Sequence, residues 1–259
     1  MMFSLLAWSG AVAIGVSLGL LGSGGSIMTV PVLVYLFGQE EKVAIAGSLF
    51  VVGSIALAGS LQFVRSRLIH WRSVLVFGVP GIIGTYIGAF VSAYVAGPVQ
   101  LVLFAIVMLL AAVLMLRPIK LEKQNRAARA SWKIAVDGLT VGLLTGLVGV
   151  GGGFLIVPAL VLLGGLGMHQ AVATSLVIIA LKSISGFLKY LDVLEQQSLA
   201  LDWQVLGLVT ILGIAGSFAG RHIGNRVPQD GLRKGFGYFL IAMGIYIIAR
   251  SAPEIARLT

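Results

Sequence analysis

Eight long apolar blocks, at about 4–37, 43–64, 72–95, 98–116, 133–165, 170–190, 204–226 and 231–250, follow one another with only short polar or basic breaks between them. Most are close to the roughly 20 residues that an α-helix needs to cross a bilayer. Of the 259 residues 10% are charged and 58% hydrophobic, whereas a water-soluble domain carries roughly 25% charged residues. So few charges cannot cover a soluble surface, and the solvent of these blocks must be lipid. The expected fold is an all-α polytopic membrane protein, with 1–259 forming a single membrane domain.

The first and fifth blocks are too long for one straight helix. Each is interrupted by clustered glycines, Gly22, Gly24 and Gly25 in one and Gly149, Gly151, Gly152 and Gly153 in the other. Glycine adopts backbone conformations that other residues resist, and unwound backbone survives in a bilayer only where protein or a wet cavity satisfies its polar groups. Both blocks are therefore expected to be glycine-broken helices that line a cavity.

The two halves repeat. Gly19, Gly22, Gly24, Gly25, Val30, Pro31, Leu33 and Val34 fall on Gly146, Gly149, Gly151, Gly152, Val157, Pro158, Leu160 and Val161 at an offset of 127. Ala44, Ala46, Ser48 and Leu49 fall on Ala171, Ala173, Ser175 and Leu176 in the same register, and a short insertion then moves the offset to 132, where Trp71 meets Trp203. Chance similarity would not keep register through a proline and a helix boundary. The chain divides into repeat 1 (1–116), a basic loop (117–133) and repeat 2 (134–259).

The net charge of +9 sits in the breaks, as topology signals do, which argues against nucleic-acid binding. Arg117, Lys120, Lys123, Arg126, Arg129 and Lys133 place the central loop in the cytoplasm, and Arg65, Arg67 and Arg72 do the same for the loop two crossings earlier. In the second half the matching segment carries Asp192, Glu195 and Asp202 instead, and the basic residues Arg221, Arg226, Arg233 and Lys234 surround the next turn. Equivalent loops then face opposite sides, which favours inverted-topology repeats in which each glycine-broken block is a re-entrant hairpin or two crossings. A block that crossed once would make the repeats parallel.

Candidate substrate-binding residues cluster at the breaks: Ser23, Gly24, Gly25 and Ser26 in the first, and Gly151, Gly152 and Gly153 in the second. Half-helices that start there would aim free N–H groups and positive helix ends at one place near the midplane, favouring an anion. Close helix packing is the plainer role, and it fits the outer pairs Gly15/Gly19 and Gly142/Gly146 better. Ser48, Ser175 and Thr174 sit early in the following blocks, where a hydroxyl either donates to an anion or bonds the preceding helical carbonyl. Lys182 lies about 20 Å along its block. A cation at that depth needs a partner, and a bound anion would serve, unless the side chain snorkels with Lys189 to one interface.

Other chemistries lack their residues. With no cysteine, thiolate chemistry and Cys-based metal sites are excluded, and no acid pair or deep histidine suggests a metal site, a cofactor or an enzyme. Neither glycine cluster is a nucleotide loop, since no Gly-Lys-Ser/Thr follows. Residues 1–8 carry no Lys or Arg ahead of the apolar run, so no cleaved signal peptide is expected.

The duplicated GLLGSGGSIMTVPVLVYLFG and GLVGVGGGFLIVPALVLLGG, each followed by A-x-A-x-S-L, resemble the TauE/SafE family of sulfite and organosulfonate exporters, also called the toluene-sulfonate uptake permease family. The likeness covers nearly the whole chain. It implies a secondary transporter of the inner membrane that moves a small sulfur-containing anion (sulfite, sulfonate or sulfoacetate) without ATP, with protons as the expected coupling ion. A passive anion channel and a non-transporting scaffold are the competing readings. The small residues suit a homodimer face as well as contacts inside each bundle. The first copy departs from the usual Gly-Gly-Gly with Gly24-Gly25-Ser26, and has Gly47 where Thr174 stands in the second.

Overall fold

The computed structural model describes residues 5–21, 24–64, 67–116, 131–149, 153–162, 164–224 and 229–255, which form helices and short connections with no strand among them. The helices are α1 (Leu5–Leu21), α2 (Gly25–Leu36), α3 (Glu41–Val64), α4 (Trp71–Ser92), α5 (Gly97–Leu116), α6 (Ser131–Val148), α7 (Gly153–Leu162), α8 (Met168–Gln196), α9 (Trp203–Gly224) and α10 (Gln229–Ile255). Five of them, α3, α4, α6, α8 and α9, are long and apolar enough to cross a membrane. In α4 the turn Val74–Gly78 is wound as a π-helix. Pro80 follows it, and having no N–H for the carbonyl four residues back and a ring that crowds it, widens the turn.

The first long block is a hairpin. Gly25 packs against Ile14 and Leu18, and Gly10 against Val32 and Leu36, so α2 runs back along α1. At 1.5 Å per residue α2 rises about 18 Å, short of the hydrocarbon core of roughly 30 Å, which is the length of a re-entrant segment.

Glycines set the pairing of the long helices. A Cβ on Gly15 would overlap the Gly213 carbonyl, and one on Gly19 the Ser217 carbonyl, while Gly216 and Gly220 stand against Val12 and Val16. These contacts lay α1 and α9 side by side and parallel. In the same way Gly142 meets Gly81, Gly146 meets Thr85, and Gly84 and Gly88 stand against Leu139 and Leu143, laying α6 against α4. Each contact of the second set is a contact of the first moved by 127 on one helix and 132 on the other, the two sequence offsets. Such close backbone approach is how helices associate in lipid, where burying apolar surface gives no drive of its own.

The remaining two pairs run antiparallel. Leu49 meets Gly186, Gly53 meets Ser183 and Gly59 meets Leu176 where α3 crosses α8, and Leu109 and Leu116 meet Gly244 and Gly237 between α5 and α10. The crossing of α3 and α8 is the centre of the molecule: their apolar windows are 78% and 61% buried, against 28–44% for the other three spans. The outer helices turn Ile83, Ile87, Leu110, Leu139, Leu143 and Ile211 outward, as a lipid-facing surface requires. Exposed Trp71, Trp132 and Trp203 stand at the starts of α4, α6 and α9, where indole rings settle at a membrane interface.

Candidate functional site

The second glycine interruption is built from a helix end and three side chains brought to it. α6 stops at Val148 because Gly149 takes a left-handed backbone (φ +73°), the conformation that ends helices and that glycine alone adopts without strain. A Cβ there would also overlap Ile45. Ending a helix orphans its last carbonyls, and in a membrane water cannot serve them. Here the Leu147 carbonyl accepts from Gln100 Nε2 at 2.8 Å and from the Tyr190 hydroxyl at 3.0 Å, and these two donors are 3.1 Å apart. The Gly149 carbonyl accepts from the Ser48 hydroxyl, which also lies 2.9 Å from the Ile45 carbonyl. Side chains of α5, α8 and α3 thus hold the end of α6.

Of the sequence-predicted residues, Ser23, Gly151 and Gly152 lie outside the described residues, as do Gly22 and most of the basic central loop. Gly24, Gly25 and Ser26 are buried at the tip of the first hairpin and the start of α2, which begins without a side-chain cap. Gly153 is buried at the start of α7, and α2 touches α7, so the two short helices meet. Ser48 is engaged with the glycine break, Thr174 Oγ1 accepts from the His70 backbone N–H at 3.0 Å, and Ser175 Oγ lies 2.8 Å from the Val172 carbonyl. His70 is a local cap, its ring 2.9 Å from the Ser73 hydroxyl.

These hydroxyls do not form one cluster. In the register of α3 against α8, Ser48 and Ser175 stand about 18 Å apart along the helices, and Lys182 is roughly midway between them. The hydroxyls therefore fall into two separate groups, one on each side of Lys182 along the crossing.

Lys182 is at the middle of the 29-residue α8 and is fully buried. Its stem packs 3.2–3.4 Å from the position a Cβ would take on Gly81. In the other half Ile55, its equivalent, stands against Gly213, the equivalent of Gly81. The repeat therefore places a lysine in an isoleucine's seat. Among the described residues the Lys182 ammonium has no hydrogen-bond partner. The snorkelling alternative does not describe it, because Lys189, two turns on, pairs with Asp192 at 2.8 Å and is the one near an interface.

Gln100 and Tyr190 carry polar roles that the sequence did not flag. The available signal was slight: an amide near the start of the fourth apolar block and a phenol at the end of the sixth, neither marked by depth in its block. Among the described residues no three of His, Asp or Glu come together as a metal site would need.

The sequence is matched over residues 7–247 by the model of the sulfite exporter TauE/SafE family. The chain belongs to that family. A probable membrane transporter protein of Xylella fastidiosa is 31% identical over 245 residues, covering 92% of both chains. The probable membrane transporter protein YunE of Bacillus subtilis is 32% identical over 217 residues, 74% of this chain and 79% of that one. A probable membrane transporter protein of Methanocaldococcus jannaschii is 25% identical over 251 residues, 92% of this chain and 94% of its own. No solved structure matches. This TauE/SafE protein is a multi-pass membrane transporter and not an enzyme.

Proposed function

We propose that this TauE/SafE protein is a secondary transporter that carries a small sulfur-containing anion, of the sulfite, sulfonate or sulfoacetate type, across the inner membrane by alternating access. The observation that carries the reading is Lys182: a cation buried at the crossing of α3 and α8, with no hydrogen-bond partner among the described residues. A charge in that position costs a few kcal/mol unless something opposite in sign joins it, and a transported anion does so during each cycle.

In the proposed path the anion meets the start of α2, which has no side-chain cap, and the start of α7, both of them positive helix ends. Lys182 is then the shared charge between the half-sites around Ser48 and around Thr174 and Ser175. Gly24, Gly25, Ser26 and Gly153 supply backbone at the hairpin tips, together with Ser23, Gly151 and Gly152 of the same two glycine clusters.

Repeats 1–116 and 134–259 are read as inverted. Support comes from the antiparallel run of the equivalent helices α3 and α8, and of α5 and α10, which an axis along the membrane normal would have made parallel. The 117–133 loop is then cytoplasmic, and rocking of one repeat against the other about Lys182 would alternate access. Protons are the proposed coupling ion, and a homodimer is compatible with the glycine-rich outer helices.

Uptake of radiolabelled sulfite, sulfoacetate and thiosulfate into proteoliposomes, with and without an imposed proton gradient, tests the substrate class. Saturable flux of a sulfur anion that accelerates under counter-transport is expected. Linear, non-saturating flux would identify a channel, and the absence of flux for every sulfur anion would remove the proposed substrate.

A further inference from the structure

A second feature lies away from Lys182, where α3 and α9 end on the same side of the molecule. A small cavity there is lined by Leu18, Gly19, Gln62, Phe63, Ser217 and Arg221, among others. Arg221 donates from Nη1 to Gln62 Oε1 at 2.7 Å, and its guanidinium lies 4.4 Å from the centroid of the Phe63 ring. Among the described residues no carboxylate pairs with it. The cavity itself has room for about one water; one of the five N–H donors of Arg221 is used by Gln62 and one face is covered by Phe63, so the remaining donors are left for a ligand at the cavity's rim.

The other half shows what a neutralised mouth looks like. By the repeat offsets Gln62 corresponds to Lys189 and Arg221 to Ala89. Lys189 pairs with Asp192 and sits over the rings of Tyr86 and Phe90. Because α3 and α8 are antiparallel, this pair lies at the opposite end of the crossing from Gln62. One mouth therefore presents an uncompensated guanidinium in a part-buried cavity, and the other an ion pair. A cation in a cleft with low-dielectric walls focuses its field and raises the local concentration of anions.

We propose that Arg221, with Gln62, forms an outer capture site for a small sulfur oxyanion at the mouth where α3 and α9 end, which takes the anion before it reaches the interior. This rests on the transport function proposed above, and under the same topology the mouth faces the cytoplasm. Gln62 holds one edge of the guanidinium and Phe63 its face, so the other edge is pre-oriented. The site changes the apparent affinity on one side of the membrane; it cannot change the gradient at which transport stops.

A binding readout separate from transport tests it. The purified full-length protein is treated with phenylglyoxal, and modification at Arg221, relative to that of exposed Arg72 in the same sample, is followed by mass spectrometry in sodium methanesulfonate or in sodium chloride of equal ionic strength; sulfite is left out of this arm because it adds to the aldehyde of the reagent. Methanesulfonate is expected to slow modification of Arg221 relative to chloride, and Gln62→Ala to weaken that protection. Equal relative rates in both salts would sink the capture site, and would leave Arg221 as a cation that completes the last turn of α9. In proteoliposomes sorted by orientation, Arg221→Gln should raise KM for sulfite about tenfold from the α3/α9 side and leave the opposite side near wild type, with Arg221→Lys intermediate. A KM raised equally from both sides would also refute the proposal. Sulfite flux without protection at Arg221 defeats this site alone, whereas protection without flux of any sulfur anion defeats the transport reading and keeps the site.

Discussion

Replacing Lys182 by methionine or isoleucine separates a functional cation from a structural one, because the two roles move stability in opposite directions. The side chain is fully buried, its ammonium has no hydrogen-bond partner among the described residues, and its aliphatic stem lies against Gly81. Placing a lysine at the centre of a membrane helix costs about 2.5–3.5 kcal/mol on insertion scales. Removing the charge and keeping the stem volume should recover most of that, and Ile55 against Gly213 shows that such a seat accepts an apolar side chain. A stabilisation of roughly 3 kcal/mol corresponds to a rise of about 6–12 °C in midpoint for a chain of this size.

The same substitution should abolish the stabilisation that an anion confers. A ligand that binds only the folded state raises the midpoint with its concentration, and removing one partner of a desolvated charge pair costs about 2–5 kcal/mol of binding. Thermal unfolding of detergent-solubilised wild type, Lys182→Met and Lys182→Ile is compared in sodium sulfite and in sodium chloride of equal ionic strength. The variants are expected to be more stable in chloride and indifferent to sulfite. A variant that is less stable in chloride and still gains from sulfite as wild type does would show that Lys182 is a packing residue, and the reasoning above would fail.

Two further expectations concern the scaffold. Gln100 Nε2 and the Tyr190 hydroxyl both donate to the Leu147 carbonyl, so Gln100→Leu and Tyr190→Phe should each cost only about 1 kcal/mol, while the double variant exceeds their sum because an orphaned buried carbonyl costs about 1–3 kcal/mol; thermal unfolding of the four proteins checks this, and plain additivity would contradict it. The chain has no cysteine, so Arg67→Cys in the α3–α4 connection and Ser198→Cys in the α8–α9 connection report topology directly. With inverted repeats a membrane-impermeant maleimide labels these two from opposite sides, and labelling from the same side would make the repeats parallel.

The membrane-embedded helical fold was legible because its signals are local and repeated: block length, few charges, and glycine clusters that no straight helix tolerates. Pairing was legible only in part. Gly15, Gly19, Gly142 and Gly146 announce close contacts, yet nothing on α1 says that its partner is α9, a helix of the other half. The site was legible as residue types and not as a constellation. Ser48 and Ser175 look like neighbours when the repeats are laid over one another in sequence, but the antiparallel crossing of α3 and α8 sets them at opposite ends. Tyr190 escaped notice because its partner is a backbone carbonyl, and sequence does not show which carbonyls a helix end will orphan.

Departures from the repeat indicate where function resides. A duplicated scaffold needs the same small residues at both copies of each helix contact, and the α1–α9 and α4–α6 pairs keep them: Gly15 and Gly142, Gly19 and Gly146, Gly216 and Gly84, Gly220 and Gly88. Packing gives no reason for Ile55 to become Lys182, since both fill the same kind of seat against a glycine. Nor does it ask for a guanidinium at Arg221 where the other half has Ala89. Both changes add a cation, one buried and one part-buried, and neither adds an acid to balance it. A symmetric pair of hairpins would treat the two sides of a membrane alike, so a transporter with different affinities on its two sides must break the symmetry somewhere. Doing so with single charges at the crossing and at one mouth leaves the glycine contacts, and with them the pairing of the helices, unchanged.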